Sequence, residues 1–170
     1  MEATLGFEIL AGRANEPVIK EVALASKNVI QTFHCQSPCV MSAHGSEENG
    51  INWNDGHIPY SQLPIVLSEA VAIFDHLYAQ GPEKCRILSE VLNCPIHDLK
   101  DLNCPEPHKL KSHYHCSMVY HSFPHIRCAT RNATASFDWL QYHFQTKSYI
   151  KCPKDSSRHT ALFASGIRQD

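Results

Sequence analysis

The sequence predicts a single mixed α/β domain built on one central sheet. Three observations predict it: a hairpin rich in β-branched residues near the N-terminus, an alternation of strand-like and helix-like segments after it, and an amphipathic helix towards the end. A chain of 170 residues, 43% hydrophobic and 19% charged, suits one domain that buries a substantial core without disulfides.

Residues 18–33 (VIKEVALASKNVIQTF) hold two apolar, β-branched runs separated by Ser26-Lys27-Asn28, which reads as two strands and a turn. Residues 34–60 carry Gly, Asn, Pro and His with little periodicity and predict a long surface loop containing Trp53. The apolar positions of residues 61–73 recur at helical spacing, and the run that follows, to residue 79, reads as a short buried strand ended by Gly81-Pro82. A helix is expected over residues 82–92 and a short strand or extended piece over 95–99. Ala129, Ala133, Phe137, Leu140 and Phe144 place a last helix over residues 128–144. One domain over residues 1–145, with a mobile tail over 146–170, follows from these elements. Their order, hairpin then helix and strand in alternation, is close to an RNase H-like layout.

No apolar run approaches the ~20 residues that span a bilayer, and no basic n-region precedes the first apolar stretch, so neither a membrane span nor a secretory leader is expected. An intracellular protein, in cytoplasm or nucleus, is the corresponding expectation. The eight cysteines then read as reduced thiols or metal ligands. The sequon at Asn132-Ala133-Thr134 would not meet the glycosylation machinery. Charge is uneven. Residues 1–106 carry fourteen acids against six Lys/Arg, whereas residues 107–170 carry nine Lys/Arg against three acids. Such a basic half can mark a nucleic-acid-facing side.

The acid-free interval between Glu106 and Asp138 contains HYHCSMVYHSFPHIRC, residues 113–128. Zinc takes four ligands, commonly thiolate and imidazole. Cys116, His121 and Cys128 are spaced to close around one ion, with His113, His115 and His125 as competitors. A fourth ligand must come from elsewhere: Cys104, a second local histidine or a carboxylate from the sheet. With all four positions filled by protein the ion would be structural.

A two-metal nuclease of RNase H-like layout would need an Asp-x-Glu on its first strand, an acid after the buried strand and a His-x4-Asp on the last helix. Here the first strand offers Gly6-Phe7-Glu8, the second place offers only Glu83, and the helix offers Cys128, Asn132 and Ala133. Neutral and thiol groups there cannot hold two divalent ions. Two-metal hydrolysis is therefore not expected, and Asp75, Asp98, Asp101 and Asp138 read as surface or cap acids.

Residues 19–24 (IKEVAL), 53–60 (WNDGHIPY), 78–88 (YAQGPEKCRIL), 98–105 (DLKDLNCP) and 127–139 (RCATRNATASFDW) carry, in this succession, a resemblance. The chain resembles the Maelstrom domain, a degenerate branch of the DEDDh exonucleases in the RNase H-like superfamily, and related short insect and mobile-element proteins. The resemblance covers roughly residues 5–142. It implies piRNA-linked gene silencing, association with RNA and a structural zinc held by Glu, Cys, His and Cys. Carried onto this sequence, those ligands are Glu21, Cys116, His121 and Cys128. The Cys-to-His gap is longer here than in the family, which leaves His125 as alternate to His121, His113 as alternate to Cys116, and Cys104 as alternate to Glu21.

These readings combine into a zinc-stabilised pseudo-exonuclease that binds single-stranded RNA. Lys109, Lys111, Arg127 and Arg131 would contact phosphates, and Tyr114, Tyr120 or Phe123 would stack on bases. Two other classes stay open: a protein-interaction adaptor that docks a partner through residues 34–60 or the tail, and a residual metal-independent ribonuclease using His113, His115 or His125.

Overall fold

A computed structural model describes residues 1–12, 16–39, 51–114 and 128–150, with side chains to residue 147. Five strands form one mixed sheet in the order β3-β2-β1-β4-β5: β1 (Glu2–Ala11), β2 (Pro17–Ala25), β3 (Ile30–His34), β4 (His76–Ala79) and β5 (His97–Asp98). The first three strands pair antiparallel, whereas β4 runs parallel to β1 and β5 parallel to β4. Three helices flank the sheet: α1 (Leu63–Val71), α2 (Pro82–Leu92) and α3 (Ala129–Ile150). Among the described residues no helix is long and apolar enough to cross a membrane.

The central strand β1 is buried along most of its length, as expected of a strand covered on both faces. Its alternation assigns the two faces. Ala3, Leu5 and Phe7 pack with Leu63, Leu67 and Val71 of α1 and with Cys85, Leu88 and Leu92 of α2. Thr4, Gly6 and Glu8 point the other way, to α3. On β2, Ala23 and Ala25 join Ala129, Ala133 and Phe137 of α3 in a second cluster.

Small residues let α3 approach closely. A Cβ on Gly6 would stand 2.4 Å from the Ala129 carbonyl oxygen and 3.0 Å from the Ala133 nitrogen, so only glycine fits there. Two hydroxyls lock the contact: Thr4 Oγ1 donates to the Ala133 carbonyl at 2.7 Å, and Thr32 and Thr130 hydroxyls meet at 2.7 Å. The helices on the other face follow local signals. α1 buries Leu63, Leu67 and Val71 at i, i+4, i+8. α2 starts with Pro82 after Gly81 (φ +97°) and ends at Asn93 in the left-handed region.

Three local expectations are corrected. The elements expected from the sequence start with the hairpin at residue 18, and the stretch around Gly6-Phe7-Glu8 has no strand bounds there; in the structure a ten-residue strand runs from Glu2 to Ala11 and forms the centre of the sheet. Trp53 is not on a surface loop: it is buried with Leu10 and Val18, and its indole N–H donates to the Cys39 carbonyl at 2.7 Å. The last helix continues beyond residue 144 to Ile150. Residues 146–150 of the expected mobile tail are thus helical, and its residues 151–170 lie outside the described residues.

Candidate metal centre and nucleic-acid face

The strand register sets three polar side chains in one row on the α3 face. Glu8 of β1 pairs with Glu21 of β2, and Glu21 pairs with His34 of β3. Above the row lies the start of α3. The Ala129 N–H donates to Glu21 Oε2 at 3.3 Å, and Asn132 Nδ2 donates to Glu8 Oε1 at 3.2 Å. His34 Nε2 stands 3.6 Å from Glu21 Oε1. Glu21 and Cys128 are both 0% exposed. Cys128 immediately precedes the helix and its sulfur accepts the Arg131 N–H at 3.4 Å, as an N-cap does.

Like charges directly opposite in neighbouring strands destabilise a sheet. The N-terminus of a helix carries a partial positive charge and free N–H groups, so it favours carboxylates at this place. The two Glu21 contacts given above are longer than the ~2.7–2.9 Å usual for charge-assisted bonds. Carboxylate and thiolate are both ligand types that zinc takes, and Cys128 is the chain neighbour of Ala129, whose N–H bonds Glu21.

The register also slips beside this row. Glu8 opposes Glu21 but Ile9 opposes Ile19, so Lys20 is the extra residue of a β-bulge. Its ammonium is buried and donates to Ser37 Oγ at 3.0 Å, the Trp53 carbonyl at 2.8 Å and the Asp55 carbonyl at 2.7 Å. Burial lowers the Lys20 pKa, against the opposing pull of nearby Cys35 and Asp55. This cage ties residues 51–58 to β2. Gly56 (φ +123°) completes the turn against the Cys35 carbonyl, and the His34 and His57 rings stack with centroids 6.2 Å apart.

Of the residues singled out from the sequence, the structure brings Glu21 against the first turn of α3, beside Cys128. Cys116, His121, His125 and Arg127 lie outside the described residues. Among the described residues no group of three or more His, Cys, Asp or Glu is gathered to hold a metal. Cys104, the alternate to Glu21, packs with Leu99, Leu110, Ala135 and Leu140, and its thiol donates to the Pro105 carbonyl at 3.5 Å. Burial first, then Asp98, pushes that thiol up to about 12. Lys109 and Lys111 are exposed, but Arg131 is half-buried with Nη2 on the Leu110 carbonyl at 3.5 Å. The sequon is inaccessible in the fold: Asn132 and Thr134 lie within α3 and are both buried.

Sequence reasoning missed His34, Asn132 and Lys20 as parts of this site. Lys20 had a visible signal, a lone charge beside Glu21 inside an otherwise apolar strand. His34 had none, because its pairing to Glu21 depends on the hairpin register. Together these elements define a mixed α/β domain whose α3 face carries a buried acidic row. No protein-family model, curated protein or solved structure matches the chain.

Proposed function

We propose that this chain is a zinc-stabilised, degenerate exonuclease fold of the RNase H-like kind that binds single-stranded RNA. The observation that carries the reading is the Glu8–Glu21–His34 row beneath the first turn of α3, with Cys128 buried beside it. Glu21 and Cys128, with Cys116 and His121, would hold one zinc ion. Bound there, zinc supplies positive charge to the acidic row and joins the hairpin to the last helix, a structural role. The strand order β3-β2-β1-β4-β5, antiparallel then parallel, supports the RNase H-like part.

The degenerate part rests on the places where paired metal ions would need acids. Gly6 has no room for a side chain, Ala133 packs over it, and Glu8 is engaged by the Asn132 amide. Lys84 adds a cation beside the same strand, its ammonium donating to the Phe7 carbonyl at 3.0 Å. Two-metal hydrolysis is not part of this reading. RNA association rests on the basic chain beyond residue 106, with Lys109 and Lys111 exposed beside α3.

The test is metal content of the purified chain together with RNA affinity. One equivalent of zinc, lost in Cys116→Ser and Cys128→Ser, is the expected result; a metal-free parent protein overturns the zinc assignment. A labelled unstructured oligoribonucleotide should bind at low salt, weaken steeply as salt rises, and weaken in Lys109→Ala/Lys111→Ala. Absence of binding at low salt overturns the RNA assignment. A partner that binds through residues 34–60 while RNA does not would favour the adaptor reading instead.

A further inference from the structure

A cavity of about 290 Å³ opens between the β2–β3 turn and α3, away from the acidic row. Its apolar walls are Ala25, Ile30 and Phe137, and Ser26, His113, Tyr114, Thr134 and Asp138 also line it. Ile30 is 54% exposed, a large apolar side chain left at the mouth of the cavity rather than in the core. An apolar surface set with several polar side chains is the usual make-up of a small-molecule site. The volume lies at the lower end of the ~300–1,000 Å³ typical of small-molecule pockets, which suits one ring system rather than a stretch of chain.

Charge around the cavity is divided. Asp138, exposed on α3, is an acceptor inside it and would repel a phosphate. Two exposed cations are close to it in the chain: Lys27 follows the lining residue Ser26 in the turn, and Lys111 precedes His113 by two positions, whereas the Arg131 guanidinium is turned to the Leu110 carbonyl. An apolar slot with an internal acceptor and a basic margin is complementary to a nucleotide whose base enters while its phosphates stay outside.

We propose that this cavity is a nucleobase-binding site that takes one unpaired base of single-stranded RNA. The proposal rests on the RNA-binding reading above and gives it a specificity. The base packs against Phe137 and Tyr114, and the Asp138 carboxylate accepts a hydrogen bond from an exocyclic amino group. Cytosine and adenine present such a donor on the edge where uracil presents a carbonyl. The site therefore prefers amino-bearing bases to uracil.

The experiment is fluorescence anisotropy at low salt with the full chain and labelled eight-nucleotide probes: oligo(C), oligo(U), and oligo(C) with its central bases removed. Oligo(C) should bind more tightly than the abasic probe by roughly fivefold to a hundredfold, the span that stacking of one base gives. Oligo(C) should also exceed oligo(U), and Asp138→Asn should remove that preference, the abasic probe measured on the same variant correcting for the loss of one negative charge near the phosphates. Asp138 is exposed, so the variant is expected to fold, and its circular dichroism and melting curve verify this. Tyr114→Ala should narrow the gap between oligo(C) and the abasic probe. Equal affinity for all three probes overturns the base site and leaves RNA binding standing. No binding of any probe overturns both. A cytosine preference that survives Asp138→Asn overturns the assignment of Asp138.

Discussion

Substituting Gly6→Ala should destabilise the domain far more than one methyl group suggests. The added Cβ would lie 2.4 Å from the Ala129 carbonyl oxygen, where ordinary contact begins at 3.4 Å, and both atoms belong to packed backbone. Helix α3 would have to retreat by roughly 1 Å, since no flexible side chain can yield instead. That movement stretches the Thr4–Ala133 and Thr32–Thr130 bonds, each 2.7 Å, and the Ala129 N–H contact to Glu21. Overpacking costs about 1–3 kcal/mol, and each weakened hydrogen bond about 0.5–1.5 kcal/mol. Because partial movement shares these costs, the expected loss is about 3 kcal/mol. For a chain of this size that lowers Tm by about 6–12 °C in a thermal melt followed by circular dichroism. A Tm within about 1 °C of the parent would refute the argument, because α3 could then move without cost.

Other expectations follow from the same geometry. Gly6→Asp, which restores the acid that a first-strand Asp-x-Glu requires, should lower stability further and yield no magnesium-dependent nuclease activity; cleavage of a labelled oligonucleotide by this variant would contradict the packing at Gly6. Lys20→Met should cost about 2–4 kcal/mol in urea unfolding, because it strips a buried cation from two carbonyls and Ser37. Stability should fall as pH rises from about 9 through about 11. Burial pushes the Cys35 and Cys85 thiols up to about 11 in the folded state, so the native chain retains protons that the unfolded chain releases. Replacing Cys35, Cys85 and Cys104, whose thiol burial pushes up to about 12, by alanine should flatten this alkaline limb of the stability curve, after allowance for the cavities created.

Much of the architecture was legible because local chemistry dictates it. Pro82 and Asn93 bound α2 where the periodicity places it, and Ser26-Lys27-Asn28 marks the turn between β2 and β3. β1 was harder to read. EATLGFEILA mixes small, polar and apolar residues, since one face meets two helices through large side chains and the other meets α3 through Thr4 and Gly6. Trp53 was misjudged for a related reason. Its segment lacks periodicity, and what buries it is the Lys20 ammonium gathering carbonyls from a loop more than thirty residues away. The candidate site was legible in part: of the proposed ligands, Cys128 is marked by spacing and Glu21 by the resemblance alone, and both are buried where β2 meets the start of α3.

The sequence by itself determined the types and order of the elements from the β2–β3 hairpin onward and the two charge halves, because periodicity, turn residues and composition act over a few positions. Tertiary structure decided which of these elements share a face. Only the pairing Glu8–Glu21–His34 and the bulge at Lys20 turn scattered polar residues into one row under a helix end. The physical reason is register: a slip of one residue in β2 would exchange Glu21 with its apolar neighbour Val22 and leave the start of α3 over a hydrophobic surface.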